Sequence, residues 1–294
     1  MIKVSTSKTL LVFGAVLIVV GAVLMFSSKE KENTQIVEEV VTQEVLTSKQ
    51  SVIGTSVEGR KIESYTFGKG ETNILLVGGI HGGYEWNSVL LAYQFIDYYT
   101  TNPTSVPGNI TLTIVPSANP DGLFDVTQKE GRFSIADTQN ENTTTGFGRF
   151  NANGVDLNRN FDCKWQPEST WRGNLVPAGT EAFSEPESQA VRSVVSSTNP
   201  KAVLFFHSQA GSIYASECEN GILPVTREVM DTYSKASGYK SVDVFDSYPV
   251  TGDVEGWLAS IGIPAITIEL ETHETVEWSK NFAGVEAVLN YFKK

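Results

Sequence analysis

Cysteine and basic residues are scarce in this chain of 294 residues. Only Cys163 and Cys218 are present, which excludes a zinc site built from pairs of CxxC motifs. The 22 Lys and Arg residues are outnumbered by 34 Asp and Glu residues, so the net charge is −12. Because proteins that bind nucleic acids need a basic surface, we expect no nucleic-acid partner.

Internal repeats and two common catalytic motifs are also missing. The absence of a fixed-period repeat excludes solenoids and propellers. No G-x-S-x-G motif occurs, which argues against a serine hydrolase built on a nucleophile elbow. The HExxH motif of helical zinc proteases is absent too, because no second histidine follows His273-Glu274 at the required spacing. Apolar residues at 40% and charged residues at 19% are typical of an ordinary globular protein.

One long apolar run lies near the N-terminus. Residues 9–26 contain 18 apolar or small residues, with Lys3 and Lys8 before them and a charged stretch after them. This pattern predicts a membrane anchor in residues 1–28, or a signal segment if it is cleaved, with the rest of the chain outside the cytoplasm. A polar stalk is expected at 29–50 and a single catalytic domain at 51–294. An external location would permit a disulfide between the two cysteines, although two buried thiols fit the sequence equally well.

Strand and helix patterns alternate after the stalk. Strands are predicted at 61–67, 73–77, 110–115, 202–206 and 265–270, and helices at 86–99, 185–197, 223–236, 253–261 and 282–292. Ser184 and Glu187 predict a capping box, and Gly238 a helix end. Residues 121–154 read as a long polar loop. We therefore expect an α/β fold, a single domain whose mostly parallel mixed central sheet is flanked by helices, with functional residues near the carboxyl ends of its strands.

Two of the three histidines follow apolar strands. His81 comes after the run 74–80 and His207 after 203–206, and Glu85 lies four residues beyond His81. Two ligands close in sequence and a third far along the chain are typical of a catalytic zinc ion with a His₂Glu shell, which leaves one position for water. The sequence therefore predicts a single Zn²⁺ site at His81, Glu85 and His207.

Other charged residues stand in positions typical of a substrate site. Arg159 lies in the polar loop 151–162, where its guanidinium is suited either to a substrate carboxylate or to a structural pair with Asp156 or Asp162. Glu269 and Glu271 lie in or beside an apolar strand and point the same way by strand alternation. Either carboxylate is a candidate general base, since an apolar setting beside a metal moves a pKa toward neutrality.

The motifs together resemble those of the zinc carboxypeptidases of the M14 metallopeptidase family, also called the carboxypeptidase A family. The resemblance covers about Gly54 to Phe292. The motifs that carry it, in chain order, are GGIHGGYEW, NPDG, GVDLNRNFD, FFHS and TIEL. One departure concerns the spacing of the first two ligands, which is usually H-x-x-E. Here Tyr84 occupies that place and Glu85 follows one residue later.

Residue by residue, the resemblance implies zinc on His81, Glu85 and His207. It favours Glu269 over Glu271 as the catalytic base. It implies that Asn158 and Arg159 bind the terminal carboxylate of the substrate and that Tyr248 caps it. Arg149 is implied as the arginine that stabilises the oxyanion, with Arg132 as a rival in the same loop.

The expected activity is that of a zinc metallocarboxypeptidase, which hydrolyses the amide bond of a peptide substrate next to a free C-terminal carboxylate. An outward-facing domain makes cell-wall peptides a fitting substrate. The alternatives are a zinc-dependent deacylase of N-acyl amino acids and an inactive envelope-binding module. Asp253 and Glu255 lie where the family reads the terminal side chain, so they predict either a cationic side chain or simply the start of a helix. The oligomeric state stays open.

Overall fold

The computed structural model describes residues 48–138 and 145–293. The predicted anchor at 1–28 lies outside the described residues, and so does most of the predicted stalk. The first strand begins at Lys49, two residues before the predicted domain boundary. Within the described ranges, no helix combines the length and the apolar character that a membrane span requires.

The described residues form twelve strands, six α-helices and four short 3₁₀ turns. The strands are β1 (Lys49–Thr55), β2 (Lys61–Gly68), β3 (Thr72–Val77), β4 (Ile110–Val115), β5 (Glu168–Trp171), β6 (Asn174–Pro177), β7 (Ala202–Ser208), β8 (Ser212–Ala215), β9 (Glu217–Cys218), β10 (Gly221–Ile222), β11 (Lys240–Val242) and β12 (Ala265–Leu270). The α-helices are α1 (Trp86–Thr101), α2 (Pro120–Thr127), α3 (Pro186–Thr198), α4 (Pro224–Ser237), α5 (Val254–Ser260) and α6 (Trp278–Phe292). The 3₁₀ turns are Gly82–Glu85, Pro103–Ser105, Ile135–Thr138 and Leu157–Arg159.

Eight strands form one mixed sheet in the order β1-β2-β4-β3-β7-β12-β8-β11. The four central strands, from β4 to β12, run parallel to one another. β1 and β2 are antiparallel at one edge, and β8 is antiparallel to β12 near the other. The predicted mixed sheet flanked by helices is confirmed, and the parallel centre brings the carboxyl ends of β3, β7 and β12 to one edge.

Each face of the sheet has its own apolar core. Along β3, Ile74 and Leu76 pack with residues of α1, α4 and α6, whereas Leu75 and Val77 pack on the other face with residues of α3 and α5. Because successive side chains of a strand point to opposite faces, a strand covered on both sides must be apolar throughout. This explains why the central strands are continuous apolar runs rather than alternating ones.

Two local predictions were wrong. Helix α2 overlaps the start of the segment 121–154 that was predicted as a loop. Pro120 occupies its first turn, and the Asn119 side chain accepts a hydrogen bond of 2.9 Å from the backbone N–H of Gly122. The predicted capping box at Ser184 does not form, because α3 begins after Glu185, without a side-chain cap. Gly238 does end α4, with a positive φ of 78°.

The two cysteines form a disulfide. Cys163 follows the 3₁₀ turn Leu157–Arg159, and Cys218 lies in β9, 55 residues away in sequence. Both are buried and pack against Ala259 of α5. The carbonyl of Cys163 also accepts a 2.8 Å hydrogen bond from the N–H of Gly252. The disulfide therefore joins the segment after the 3₁₀ turn to β9, and the hydrogen bond to Gly252 adds a third segment.

We predict that replacing both cysteines by alanine lowers the free energy of unfolding by about 2–4 kcal/mol, because the crosslink restricts a long loop in the unfolded chain. Urea denaturation of the purified domain measures the change. Wild-type protein treated with reductant is the matched control and should lose a similar amount. A double variant within about 0.5 kcal/mol of the oxidised wild type would contradict this prediction.

Candidate active site

The turn after β3 brings the first two candidate ligands together. Gly82–Glu85 forms a 3₁₀ turn that accommodates the extra residue, and Nδ1 of His81 lies 2.7 Å from Oε1 of Glu85. Gly82 is required by close packing, because a Cβ at its position would lie 2.7 Å from the carbonyl oxygen of Gly148. The additional residue at Tyr84 is thus absorbed in a tight turn and leaves both ligands facing each other.

His207 reaches the same point from β7. Its Nδ1 lies 3.2 Å from Nδ1 of His81 and 3.0 Å from Oε2 of Glu85. His207 is the next-to-last residue of its strand, so it lies within the strand rather than after it as the sequence suggested. All three residues are at most 5% exposed. The structure thus brings together the three predicted metal ligands, and these residues are a group that can hold a metal ion.

The donor set fits a zinc ion. Tetrahedral zinc with ligand bonds near 2.0–2.1 Å separates its ligand atoms by roughly 3.3 Å, and the three separations of 2.7, 3.0 and 3.2 Å are close to that value. Among the described residues, Oε2 of Glu85 makes no hydrogen bond although it is buried, and the nitrogen 3.0 Å from it is Nδ1 of His207, another predicted ligand atom. A buried carboxylate oxygen without a donor is costly unless a cation satisfies it. Two neutral imidazoles and one carboxylate are also the donors that zinc prefers in catalytic sites.

Asp156 lies behind the first ligand. Its Oδ1 is 3.5 Å from Nε2 of His81, and its Oδ2 accepts hydrogen bonds from Nε and Nη2 of Arg149 at 2.9 and 2.8 Å. Burial alone would raise the pKa of Asp156, but Arg149 and Arg159 outweigh burial and hold that pKa well below its usual value. Asp156 is therefore a charged group in the interior. The sequence had placed it only as a possible partner of Arg159.

Of the two rival arginines, only Arg149 lies at the site. It is buried, and its Nη1, the nitrogen not bonded to Asp156, lies 3.9 Å from Oε1 of Glu85. Arg132 is half exposed and binds the carboxylate of Asp97 with both Nη atoms, at 3.1 and 2.7 Å. The geometry therefore favours Arg149 as the group beside the metal ligands.

Asn158 and Arg159 belong to the 3₁₀ turn Leu157–Arg159, directly after Asp156. Arg159 donates to the carbonyl of Thr170 from Nε and Nη2, at 3.2 and 3.0 Å, and to the carbonyl of Asn158 from Nη1. Its partners are backbone carbonyls rather than Asp156 or Asp162. Gly252 allows this arrangement, since it has a φ of +73° and a Cβ there would lie 2.1 Å from the carbonyl oxygen of Arg159.

Glu269 and Glu271 differ sharply in environment. Glu269 lines the cavity and is paired with His207 across the β7–β12 ladder. Burial, followed by the charge of Glu85, raises the pKa of Glu269 to about 8. Glu271 is exposed and forms an ion pair with Lys280. Glu269 is therefore the carboxylate that can take part in chemistry at the metal ligands.

Asp253 and Glu255, the two acidic residues at the start of α5, lie in different environments. Oδ2 of Asp253 accepts a 2.7 Å hydrogen bond from the N–H of Gly256, so Asp253 caps the helix. Burial and then the neighbouring charge of Glu255 raise the pKa of Asp253 to about 6. Glu255 instead approaches His207, with Oε1 3.2 Å from Nε2 of the imidazole. The helix-start interpretation thus accounts for Asp253.

One cavity of about 520 Å³ is lined by every site residue that the sequence predicted. Its walls include all eight predicted site residues, namely His81, Glu85, Arg149, Asn158, Arg159, His207, Tyr248 and Glu269. Tyr248 is partly buried, and its ring packs against Phe245 with centroids 4.8 Å apart. The walls also include Tyr84, Trp171 and Arg172, which the sequence did not single out for the cavity. No short motif marks these three residues.

The third histidine is not a candidate ligand. Nδ1 of His273 lies 2.8 Å from the hydroxyl of Ser208, and its ring packs against Tyr84 with centroids 4.6 Å apart. Burial lowers the pKa of His273, so the ring is neutral near pH 7. His273 therefore supports the cavity wall.

Comparison with known proteins agrees with this geometry. The family described as zinc carboxypeptidase matches residues 34–283. The chain is 29% identical over 242 residues to a γ-D-glutamyl-L-diamino acid endopeptidase of Lysinibacillus sphaericus, a match that covers 74% of this chain and 59% of that relative.

Two solved structures have a similar fold. Murein-tripeptide amidase from Escherichia coli O157 has a TM-score of 0.58 and 23% identity, covering 83% of this chain and 92% of the other. Carboxypeptidase A from Helicoverpa armigera has a TM-score of 0.63 and 20% identity, covering 84% and 70%. The chain spans 59% and 58% of the lengths of two curated relatives that it matches.

Proposed function

The chain belongs to the zinc carboxypeptidase family, a family of peptide hydrolases, and from that premise we propose that it hydrolyses the amide bond next to a free carboxylate in a peptide. The observation that carries the proposal is the cavity itself, in which a His₂Glu ligand group and two buried arginines share one space. A metal site activates the amide carbonyl, and an arginine is suited to hold the carboxylate beside it.

Arg159 is suited to recognise the carboxylate. A guanidinium has five N–H groups, and bonds to carbonyls of described residues account for three of them. One N–H on each Nη is therefore available for a fork of two hydrogen bonds to a carboxylate. Its hydrogen-bond partners are neutral carbonyls, whereas those of Arg149 include the carboxylate of Asp156. Asn158 lines the cavity next to it, and Tyr248 would cover the bound end of the substrate.

In the proposed mechanism, a zinc ion held by His81, Glu85 and His207 would polarise the scissile carbonyl and lower the pKa of water. Glu269 takes the proton of the attacking water and returns it to the leaving amine. Nη1 of Arg149 donates to the oxygen that becomes negative in the transition state. Because Asp156 fixes the other edge of that guanidinium, the donor needs no reorganisation during the reaction.

Cell-wall peptides are the substrate class that we propose. The support is the activity of a relative, a γ-D-glutamyl-L-diamino acid endopeptidase, and of a structural neighbour, a murein-tripeptide amidase. Stem peptides carry free carboxylates, and the cavity offers Arg149, Arg159 and Arg172 on its walls. These cationic groups complement an acidic peptide.

We further propose that an N-terminal membrane helix anchors the domain outside the cytoplasm. The apolar run at residues 9–26 supports the anchor, and the disulfide between Cys163 and Cys218 supports an oxidising compartment. Protease treatment of intact cells expressing the protein should degrade the domain, and the chain should fractionate with membranes. Recovery of a protected, soluble domain would contradict both parts.

We predict that Arg149→Lys lowers kcat about 10²-fold while the zinc content is unchanged. Lysine keeps a positive charge beside Asp156, but it cannot bind that carboxylate and direct a second donor at the oxyanion together. Loss of one preorganised donor of this kind costs about 10²- to 10³-fold in rate. Steady-state kinetics and metal analysis on the same sample measure both quantities.

Arg132→Lys is the control for that variant, since Arg132 belongs to the same segment of the chain but binds Asp97 at the surface. Its kcat should stay within about twofold of wild type, as for other surface changes. If Arg149→Lys retains wild-type turnover, Arg149 has no role in the oxyanion step.

Free and amidated C-termini on otherwise identical peptides test the carboxylate site. We predict that amidation lowers kcat/KM about 10²-fold, since a charge-assisted pair at a buried arginine contributes about 2–3 kcal/mol. In the variant Arg159→Gln the two peptides should be cleaved at similar rates. Matched rates of amidated and free peptides in wild type would remove the carboxylate from the recognition step.

Measuring the hydrolysis of N-acyl amino acids beside these peptides distinguishes a deacylase from a peptide hydrolase. A preference for them over every peptide would overturn peptide hydrolysis. Glu269→Gln is the background control and should show no turnover of any substrate above a zinc-free sample.

A further inference from the structure

The second histidine ligand has a buried carboxylate behind it. Nδ1 of His207 faces His81 and Glu85, so a neutral ring that binds metal through Nδ1 carries its proton on Nε2. That Nε2 lies 3.2 Å from Oε1 of Glu255. His207 is 2% exposed and Glu255 4% exposed. The outer nitrogen of the ligand therefore lies beside a buried carboxylate rather than in contact with solvent.

Glu255 is itself held in place from two other elements. The hydroxyl of Thr267 in β12 donates to Oε1 of Glu255 at 3.0 Å, and Nδ2 of Asn158 approaches Oε2 at 3.4 Å. The helix that carries Glu255 is fixed to the same asparagine, because the N–H of Val254 donates to Oδ1 of Asn158 at 2.8 Å. Both carboxylate oxygens thus have partners within the protein.

We propose that Glu255 is a positioning residue that orients His207 for metal binding, as Asp156 faces the far nitrogen of His81. This inference rests on the proposed zinc site. Groups that accept from the outer nitrogen of a histidine ligand fix the ring and its tautomer, and their loss typically costs about 10- to 100-fold in metal affinity. The contact with Nε2 of His207 gives Glu255 a role that neither of the two sequence interpretations included.

The negative charge of Glu255 could also strengthen zinc binding by electrostatic attraction alone, without orienting His207. Variants that change the length of the side chain or its charge separately distinguish these two explanations. Glu255→Asp keeps the charge but shortens the side chain by one methylene, so its carboxylate cannot keep its contact with Nε2 from the same backbone position. Glu255→Gln is isosteric and keeps an acceptor oxygen without the charge. Glu255→Leu removes both.

The experiment measures the zinc dissociation constant of the full-length protein by competition with a chromophoric chelator. Cobalt-substituted samples give a second measurement, since the visible absorption of the bound cobalt reports the ligand geometry. Glu271→Gln is the matched control, because it removes the same charge at an exposed position paired with Lys280. Circular dichroism and thermal unfolding confirm that each variant is folded. The isosteric Gln variant provides the test if the Leu variant does not fold.

We expect Asp and Leu at position 255 to weaken zinc binding about 10- to 100-fold and to change the cobalt spectrum. The Gln variant should bind zinc more tightly than the Asp variant, and Glu271→Gln should match wild type. An Asp variant within about threefold of wild type, or a Gln variant as weak as Leu, would overturn the positioning role. Wild-type protein without stoichiometric zinc would instead overturn the proposed function together with this inference.

Discussion

The charged carboxylate of Asp156, buried without solvent contact, is the constraint on which the rest of the site depends. An isolated charge in that position would cost several kcal/mol, so its partners must stay close. They are Nε2 of His81, two nitrogens of Arg149 and the backbone N–H of Asn158. One carboxylate thereby lies beside a predicted metal ligand and fixes both the proposed oxyanion donor and the start of the turn that presents Arg159.

The sheet provides the second constraint. β3, β7 and β12 are neighbouring parallel strands. His81, His207 and Glu269 therefore lie at the same edge of the sheet, although they come from three separate parts of the sequence. His207 and Glu269 occupy directly paired positions of the ladder. Because these strands are covered on both faces, a slip in register would disturb close packing on both faces at once. The core therefore sets the distance between the metal ligands and the candidate base, which loops alone would not hold.

Sequence patterns predicted the parts of the fold that the core dictates. The bounds of β4 and β12 are those expected from their apolar runs, because both faces of these strands are buried. Helix α2 escaped prediction because eight residues give too little periodicity, and its stability comes from the cap at Asn119. The capping box at Ser184 failed because Glu187 is recruited by the N–H of Val57 and by Asn151, contacts from distant parts of the chain. The contact between Glu255 and His207 is equally non-local, and nothing in the sequence around either residue indicates it.

The two buried arginines of the cavity differ in what satisfies them, and the difference matches their proposed tasks. Arg159 donates to neutral carbonyls rather than to a carboxylate, so N–H groups remain for a carboxylate that is present in substrate and transition state alike. Such binding is uniform and affects recognition more than turnover. The charge of Arg149 is matched by Asp156, so it attracts a ground-state anion weakly and presents one directed N–H toward the metal ligands. A donor of that kind strengthens its interaction only when charge develops on the carbonyl oxygen, which is the condition for accelerating the chemical step.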